Sequence, residues 1–573
     1  MILKTVLHVE NLLKQNEKFV DKDGNIFVQN ILEAIEKIDK ELVKLLISDE
    51  KTREHFFIKI DDVFVFEQNK LIEFFTMNEY FNNSFTSYTN KIGLIKKDSF
   101  IKKFDDVVLA WPHKDCILEG GQSKDDEKNN EVFYNEILSR DEIDRLFEPK
   151  AFTNIKKISL ISNEVKQTTP TEITEDDNLI IKGNNLIALH SLKKKYAGKV
   201  KLIYIDPPYN TGNDSFKYND RFNHSTWLTF MKNRLEVARE FLSEDGVVFV
   251  SIDDNEQAYL KVLMDEVFGR DKFIGTLIWK RRASSALSEN NLSADHEYVL
   301  AYKKNTFQNF IGLEKDFKSY KNPDNDLRGE WVPGDLTVGM TDKMRPNQAY
   351  NLIDPDTGNV FPYNLNRVWA YIPESMNKLI EEKRVIFPTD PSKRPMLKRF
   401  KSELKSDCNP LSTLLMDQVG LNSEATRLLQ ELFGANIFDY SKPLSLLSTI
   451  IKQVASEKND IILDFHAGSG TTAHAVLDLN KEDGGNRKFI LIEQMDYIKS
   501  ITCKRVEKVI EKNQEGSFIY AELKQIDTFK DAEIGKLNAN MHYLPFAEIE
   551  DAEYGISKEE ITLNKNFYGL ENE

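Results

Sequence analysis

Cysteine is nearly absent from this chain, and the three present, Cys116, Cys408 and Cys503, stand far apart. Without a paired spacing, neither a disulfide framework nor a zinc site is expected, and each reads as a small buried apolar residue. His224, His296 and His466 likewise lack ligand spacing, so they read as structural and no metal is expected. No apolar run approaches the roughly 20 residues of a spanning helix. The stretch Met1-Ile-Leu-Lys-Thr-Val-Leu-His-Val-Glu10 lacks a basic segment followed by a long apolar one, so a cytoplasmic location without membrane contact is expected. There is no Gly-x-x-x-x-Gly-Lys-Ser/Thr loop, so any translocase or nuclease activity must come from another chain. Positive charge is also short. The chain carries 77 Lys and Arg against 93 Asp and Glu, a net −16 that taken alone argues against a nucleic-acid partner. Its distribution argues the other way, because the acidic excess lies in the first 180 residues and after Gln514 while basic clusters lie in the middle.

What is present starts with length: 573 residues exceed one core and suggest three or four domains. Apolar residues recur at helical spacing from Ile31 to Leu46, predicting one amphipathic helix. Phe56 to Phe66 reads as a hairpin turning at Asp61-Asp62, and Asp106 to Pro112 as a strand stopped by its proline. The polar segment Gln122 to Asn130 reads as a mobile loop. No catalytic constellation precedes Phe152, which points to an α+β accessory or oligomerisation region.

After the polar connector Thr168 to Asp177 the rhythm changes. Asn178 to Lys182 reads as a strand, and Gly183-Asn184-Asn185 opens an apolar-striped helix. A buried strand, Lys201 to Ile205, stops on Asp206-Pro207-Pro208-Tyr209-Asn210. Neither proline can continue a central ladder, so this turn sits beyond the strand's carboxyl end, where open α/β sheets bind ligands. Most bare Asp-Pro-Pro turns are only turns, but the ring at Tyr209 and the polar residues after it favour chemistry. A helix from Thr226 to Phe241, a strand from Gly246 to Ile252 and a helix from Gln257 to Phe268 complete a doubly wound pattern.

From about Lys280 to Leu429 the order dissolves into an aromatic- and Pro-rich stretch. Lys280-Arg281-Arg282 begins it, and Lys393, Arg394, Lys398 and Arg399 lie toward its end. Each run alone is usually a solvated face, but flanking a long insertion in an acidic chain they read as DNA-binding residues. Sheet order returns with a strand ending in Asp464, a loop Phe465-His466-Ala467-Gly468-Ser469-Gly470-Thr471-Thr472, and a helix. Glycines there let a ligand approach the backbone. The next strand ends on Glu493, about 20 residues further on, where an acid holds ribose hydroxyls in such folds. Together these predict an adenosine site.

The pair Asp206-Pro207-Pro208-Tyr209 and Asp464-Phe465-His466-Ala467-Gly468-Ser469-Gly470 resembles the two signatures of the amino-methylating DNA methyltransferases that use S-adenosylmethionine. With the catalytic motif first and the insertion between, the chain resembles the permuted β group. Stretches such as Trp111 to Gly121 and Arg328 to Leu336 make it similar to modification subunits of type III restriction-modification systems. One departure is that Asp464 is followed directly by Phe465, where the family often has proline first. The resemblance implies an α/β, doubly wound Rossmann-like fold carrying a long inserted target-recognition domain and an α+β accessory amino-terminal region. Its expected boundaries are 1–165 accessory, 166–282 catalytic half, 283–429 target recognition, 430–513 cofactor half and 514–573 partner contact.

It further implies that Phe465 packs against the methionine part of the cofactor. Lys442 and Pro443, in a Lys-Pro-Leu resembling an accessory cofactor motif, and Asn184 and Asn185 join the cofactor candidates, although Lys442-Pro443 also reads simply as a helix start. Asp206 and the Pro207 carbonyl would orient an adenine amino group, with Tyr209 stacking on a base flipped from duplex DNA. Asp at the first motif position favours adenine N6 over cytosine N4 by family analogy. Implied partners are duplex DNA, a second copy of the chain, and an ATP-dependent restriction subunit. Competing readings are a stand-alone methyltransferase, a specificity subunit without turnover, and an RNA methyltransferase of the same fold.

Overall fold

The computed structural model describes residues 8–9, 11–20, 26–60, 63–77, 93–96, 107–122, 133–136, 140–212, 219–284, 292–307, 309–416, 418–435, 437–455, 457, 459–525, 543–549 and 554–570. Its centre is one eleven-stranded sheet. Numbered in chain order, the strands are β1 (Phe152–Ile161), β2 (Glu164–Thr168), β3 (Leu179–Lys182), β4 (Val200–Ile205), β5 (Leu242–Ile252), β6 (Phe273–Lys280), β7 (His296–Lys303), β8 (Leu414–Leu415), β9 (Ile461–Asp464), β10 (Lys488–Glu493) and β11 (Ser517–Leu523). Across the sheet they run β8-β6-β7-β5-β4-β9-β10-β3-β11-β1-β2. The six from β5 to β11 in that order are parallel, and antiparallel strands extend both edges.

The parallel strands are short apolar runs because both their faces are covered. In β4, Val200, Ile203 and Ile205 enter a core shared with the helices α1 (Asn185–Tyr196), α2 (His224–Phe241) and α3 (Gln257–Phe268). Leu202 and Tyr204 are equally buried outside that core, alternating with Ile203 and Ile205, while a register shift between Val200 and Leu202 lets Val200 join the core face. A second set of helices, α4 (Asn422–Phe433), α5 (Leu444–Val454), α6 (Thr471–Asp483) and α7 (Lys504–Asn513), follows in the chain, with α5 packed on α6 and α6 on α7. The doubly wound expectation holds. Its decisive feature is the pairing of β4 with β9, Ile203 opposite Leu463, which sets two distant segments side by side with their carboxyl ends together.

Several expected boundaries move. β1 and β2 straddle the expected break at residue 165, and β11 lies past the break at 513, yet all three are sheet strands. The segment before them is fastened to α2: Leu118 N–H donates to Asn233 Oδ1 at 2.8 Å, and Trp111 Nε1 donates to Thr229 Oγ1 at 3.1 Å. Near the carboxyl end, α8 (Lys558–Tyr568) is tied to β1, with Asn564 bonding both backbone groups of Phe152. The insertion also shrinks, because β7, β8 and α4 fall with the sheet. The chain divides into Met1–Asn309 with Ser412–Glu573, and Phe310–Leu411.

The unit Phe310–Leu411 has its own small core of Leu336, Leu352, Phe361, Trp369 and Met376 under short strand pairs. Within the first unit, residues before Met77 form a separate cluster centred on Leu13, Ile31, Ile35, Leu42 and Leu46. Here the expected single helix is two, Val28–Glu36 and Lys40–Ser48. Ile38 turns to φ 49°, and the Asp39 carboxylate caps the second helix through the Glu41 and Leu42 amides. The hairpin Phe57–Ile60 with Val63–Phe66 is as expected; its Asp61-Asp62 turn and most of the Gln122–Asn130 segment lie outside the described residues. Cys116 and Cys503 are buried and unbridged, while Cys408 is only half-buried. Among the described residues no helix is long and apolar enough to cross a membrane.

Candidate active site

A cleft of about 620 Å³ opens at the carboxyl ends of β4, β9 and β10. Asp206 and Pro208 line one side, and Asp464, His466, Ala467, Gly468, Ser469, Thr471, Thr472 and Glu493 another. The two distant motifs thus form one site.

On the Asp206 side, the turn is held from behind. Trp227 Nε1 donates to the Pro208 carbonyl at 2.9 Å. Asn210 adopts φ 60°, its backbone N–H donates to Asp220 Oδ1 at 2.8 Å, and its amide donates to the buried Glu256 at 2.6 Å. Burial pushes the Glu256 carboxyl up to about 8, the Asn210 bond opposing and Asp253 adding to the rise. In front, Lys442 Nζ reaches both Asp206 oxygens, at 2.8 and 2.9 Å, and lies 3.4 Å from Glu297 Oε2. Tyr209 donates its hydroxyl to that same Glu297 oxygen at 3.1 Å, and the ammonium stands 4.8 Å from the Tyr209 ring centre. Arg281 Nη1 approaches the other Glu297 oxygen at 3.3 Å.

One ammonium therefore stands between two acids, of which Glu297 is buried. Burial pushes the Asp206 carboxyl above its ordinary range while Lys442 pulls it back. Burial opposes the charge on Lys442 in turn, yet Asp206 and Glu297 overcome it and hold the ammonium above the usual lysine value.

The Gly-loop side is made of backbone and short side chains. Gly468 (φ 51°) and Gly470 (φ 80°) take left-handed conformations that side chains resist. A Cβ on Gly470 would come within 3.1 Å of Thr502. Glu493 anchors the loop by accepting from the Gly468 and Met495 amides at 2.9 and 3.0 Å and from the Tyr497 hydroxyl at 3.1 Å. A carboxylate offers about four acceptor sites, so capacity remains for hydroxyls of a ligand. Burial raises the Asp464 carboxyl to about 7, against bonds from Thr472 Oγ1 and the His466 amide.

Some expected roles are corrected. Phe465 does not reach the cleft; it lies fully buried in the α1–α3 core beside Leu463, two residues earlier on the same face. Asn184 and Asn185 are not in the cleft wall either. Asn184 caps α1 through the Leu186 and Ile187 amides, and Asn185 donates to the Phe465 carbonyl at 3.1 Å, bracing the loop from behind. Pro443 is the residue before α5, as a helix start requires, while Lys442 faces Asp206. Lys398 is buried and bonded to Asp324 and, at 3.1 Å, Asp326, unlike the other basic residues of its run. Lys393, Arg394 and Arg399 are exposed, and Lys280, Arg281 and Arg282 half-buried.

The sequence reading missed Gln122, Phe438, Tyr440, Ser441 and Tyr497, all lining the cleft. Phe438 and Tyr497 meet edge to face with centres 5.2 Å apart, an aromatic wall suited to a flat base. Their only local signal is adjacency to Lys442 and to Glu493.

A family model described as DNA methylase matches residues 200–504, and one described as type III restriction/modification enzyme methylation subunit matches residues 39–94. The probable type III restriction-modification enzyme HindVI Mod subunit of Haemophilus influenzae is 32% identical over 641 aligned residues, spanning 89% of this chain and 84% of that protein. This chain belongs to the type III modification-subunit family. It is an S-adenosylmethionine-dependent DNA adenine methyltransferase, as its two motifs led one to expect. The StyLTI Mod subunit of Salmonella typhimurium is 39% identical over 370 residues, 59% of this chain and 55% of that protein. The type II methyltransferase M.KpnI of Klebsiella pneumoniae is 34% identical over 376 residues, 59% of this chain and 86% of that protein. The cleft of this modification subunit fits its cofactor: glycines open the backbone, the aromatic pair Phe438 and Tyr497 would receive a base, and Asp206, Asp464 and Glu493 surround the space with acids suited to a sulfonium.

Proposed function

We propose that this modification subunit methylates the N6 amino group of an adenine flipped out of duplex DNA, with Asp206, Pro207, Pro208 and Tyr209 as its catalytic turn. The observation that supports this reading most is the juxtaposition of the Asp206 turn and the Gly loop on the neighbouring strands β4 and β9.

The cofactor supplies an electrophilic methyl group; the protein must supply a nucleophilic amine. An adenine amino nitrogen is a poor nucleophile because its lone pair is delocalised into the ring. Asp206 and the Pro207 carbonyl accept its two hydrogens and so turn the lone pair outward. The proline that follows fixes that carbonyl, and Trp227 fixes the next one. Tyr209 stacks on the base, its hydroxyl anchored on Glu297. In the free protein Lys442 donates to Asp206 Oδ2 and stands 2.8 Å from Oδ1, which has no hydrogen-bond partner and is the oxygen left to the amino group. Glu297 stands ready to keep the ammonium when it yields. As the new N–C bond forms and the S–CH3 bond breaks, its electron pair staying on sulfur as a neutral thioether, the nitrogen becomes cationic and sheds one proton, for which Asp206, its pKa raised by burial, is the nearby acceptor. Phe438 and Tyr497 would hold the cofactor's base, Glu493 its ribose, and Ser469 to Thr472 its amino-acid end.

The test is direct. The protein, labelled cofactor and duplex DNA are incubated and the DNA digested to nucleosides; N6-methyladenine is the expected product, and N4-methylcytosine or no product would overturn the reading. RNA offered in parallel should remain unmodified. We further propose that the protein pairs with an ATP-dependent restriction subunit, as the Mod designation of its relatives supports, and that it self-associates. Light scattering and co-purification test those two contacts. The exposed Lys393, Arg394 and Arg399, with Lys280, Arg281 and Arg282, are the proposed contacts to DNA phosphates.

A further inference from the structure

Arg505, at the start of α7, is completely buried, and among the described residues no carboxylate pairs with it. Its Nε approaches His474 Nδ1 at 3.3 Å. Asp478 acts on it only from further away, being engaged with His474 at 3.2 Å and Asn513 at 2.8 Å. Arg505 Nη2 has no hydrogen-bond partner. Its Nη1 donates instead to three hydroxyls, Thr471 Oγ1 at 2.8 Å, Ser469 Oγ at 2.9 Å and Ser441 Oγ at 3.4 Å. Those oxygens form a triangle with sides of 2.7, 3.2 and 3.2 Å. All three residues line the cleft.

A buried guanidinium without a counter-ion is costly to maintain, and burial accordingly draws its pKa down to about 9. Purely as a brace for the loop, a neutral side chain of the same length would do better. Arginine only donates, so the hydroxyls that it bonds keep their hydrogens, which now turn among one another and the Lys442 carbonyl and can be re-aimed into the cleft. Thr471 is also the first residue of α6, whose amides add positive potential. Polarised hydroxyls, a helix start and a buried cation with one unpartnered nitrogen behind them make a receptor for an anion, in a cleft otherwise walled by Asp206, Asp464 and Glu493.

We propose that Arg505, acting through Ser441, Ser469 and Thr471, is the counter-charge that receives the carboxylate of the cofactor's amino-acid end. The inference rests on S-adenosylmethionine occupying this cleft, and it makes Arg505 a positioning residue. It binds the charge that distinguishes the whole cofactor from its decarboxylated analogue.

Calorimetry on the full-length protein tests it with two ligands, S-adenosylmethionine and decarboxylated S-adenosylmethionine. Arg505→Met should weaken the first about tenfold or more, the loss of a charge-assisted contact, and leave the second within about twofold; Arg505→Lys should recover part of the loss. A variant that weakens both ligands equally, or neither, overturns the proposal, since a brace for the loop would serve both alike. Should Arg505→Met fail to fold, the Ser441→Ala/Ser469→Ala pair leaves the guanidinium in place and should show the same selective loss; equal losses there count against it. Wild-type protein that binds neither ligand would remove the cofactor assignment and this inference together, whereas wild-type binding with unselective variants removes the inference alone.

Discussion

The sheet unit and the unit Phe310–Leu411 use charge in opposite ways. In the first, ionisable groups are buried at the strand ends and face a cleft. Lys442 lies between Asp206 and Glu297, Arg281 also approaches Glu297, and Arg505 pairs with no acid among the described residues. In the second, the buried Lys398 meets Asp324 and Asp326, and Arg328 closes on Asp326 at 2.7 Å, beside the strand pair Trp331–Asp335 and Met396–Phe400. Lys398 and its acids do not line the cleft and serve the fold, whereas Lys442 faces the cleft and Arg505 keeps an unpartnered nitrogen. Sequence composition does not separate the two cases, since Lys398 sits in a basic run and Lys442 does not.

Substitutions can break that contrast. Asp206→Ala should cost the most, about 10²- to 10³-fold in methyl transfer or more, the scale for removing one preorganised polar group. Affinity for DNA should persist in a filter-binding assay. Glu297→Gln deprives Lys442 of its second acid and weakens the Tyr209 anchor, so methylation should fall roughly 10- to 100-fold, the worth of a charge-assisted hydrogen bond. Steady-state kinetics should show the loss chiefly in kcat.

Glu256 sharpens the contrast through pH. Its carboxyl is raised in the folded protein to about 8, so the stability it contributes is complete below its unfolded value and is lost as pH rises through about 8. Melting of the free protein between pH 5 and 8.5 should therefore fall with pH, by up to about 1.4 kcal/mol per unit from this group, and Glu256→Gln should flatten the slope. In the insertion, Lys398→Met should lower stability by about 1–3 kcal/mol, leaving buried acceptors unmatched, without changing the chemistry on a substrate already bound. Arg394→Ala, at an exposed position, should leave the melting temperature alone and reduce the salt dependence of DNA binding by about one unit of slope.

Much of the site was legible because its signals are local. A strand that stops on Asp-Pro-Pro-Tyr and a strand that opens into Gly468-Ser469-Gly470 declare themselves within a few residues. Strand parity could have corrected Phe465 as well, since it shares a face with Leu463 and so points inward. Asp39 was likewise available as a cap to split the predicted Ile31–Leu46 helix. What could not be read were contacts between distant segments. Glu297 is an unremarked acid on β7 until the fold brings it to Lys442 and Tyr209, and Arg505 until it lies under Ser441 and Ser469. Gln122 was missed for the same reason, because its segment looked accessory until it docked on α2.

The pairing of β4 with β9 also governs the order of events in synthesis. Asp206 emerges early, but its strand's neighbour on one side is not made until Ile461–Asp464, and β11 must then enter between β3 and β1. Until that point β3 and β4 present bare hydrogen-bonding edges, the kind of surface on which chains aggregate. Long-range parallel pairing of this sort folds slowly. A nascent chain stalled inside the insertion would hold the catalytic turn but neither a cofactor site nor a closed sheet. Methylating competence should therefore appear only near the end of translation, late enough that an unfinished subunit cannot mark DNA.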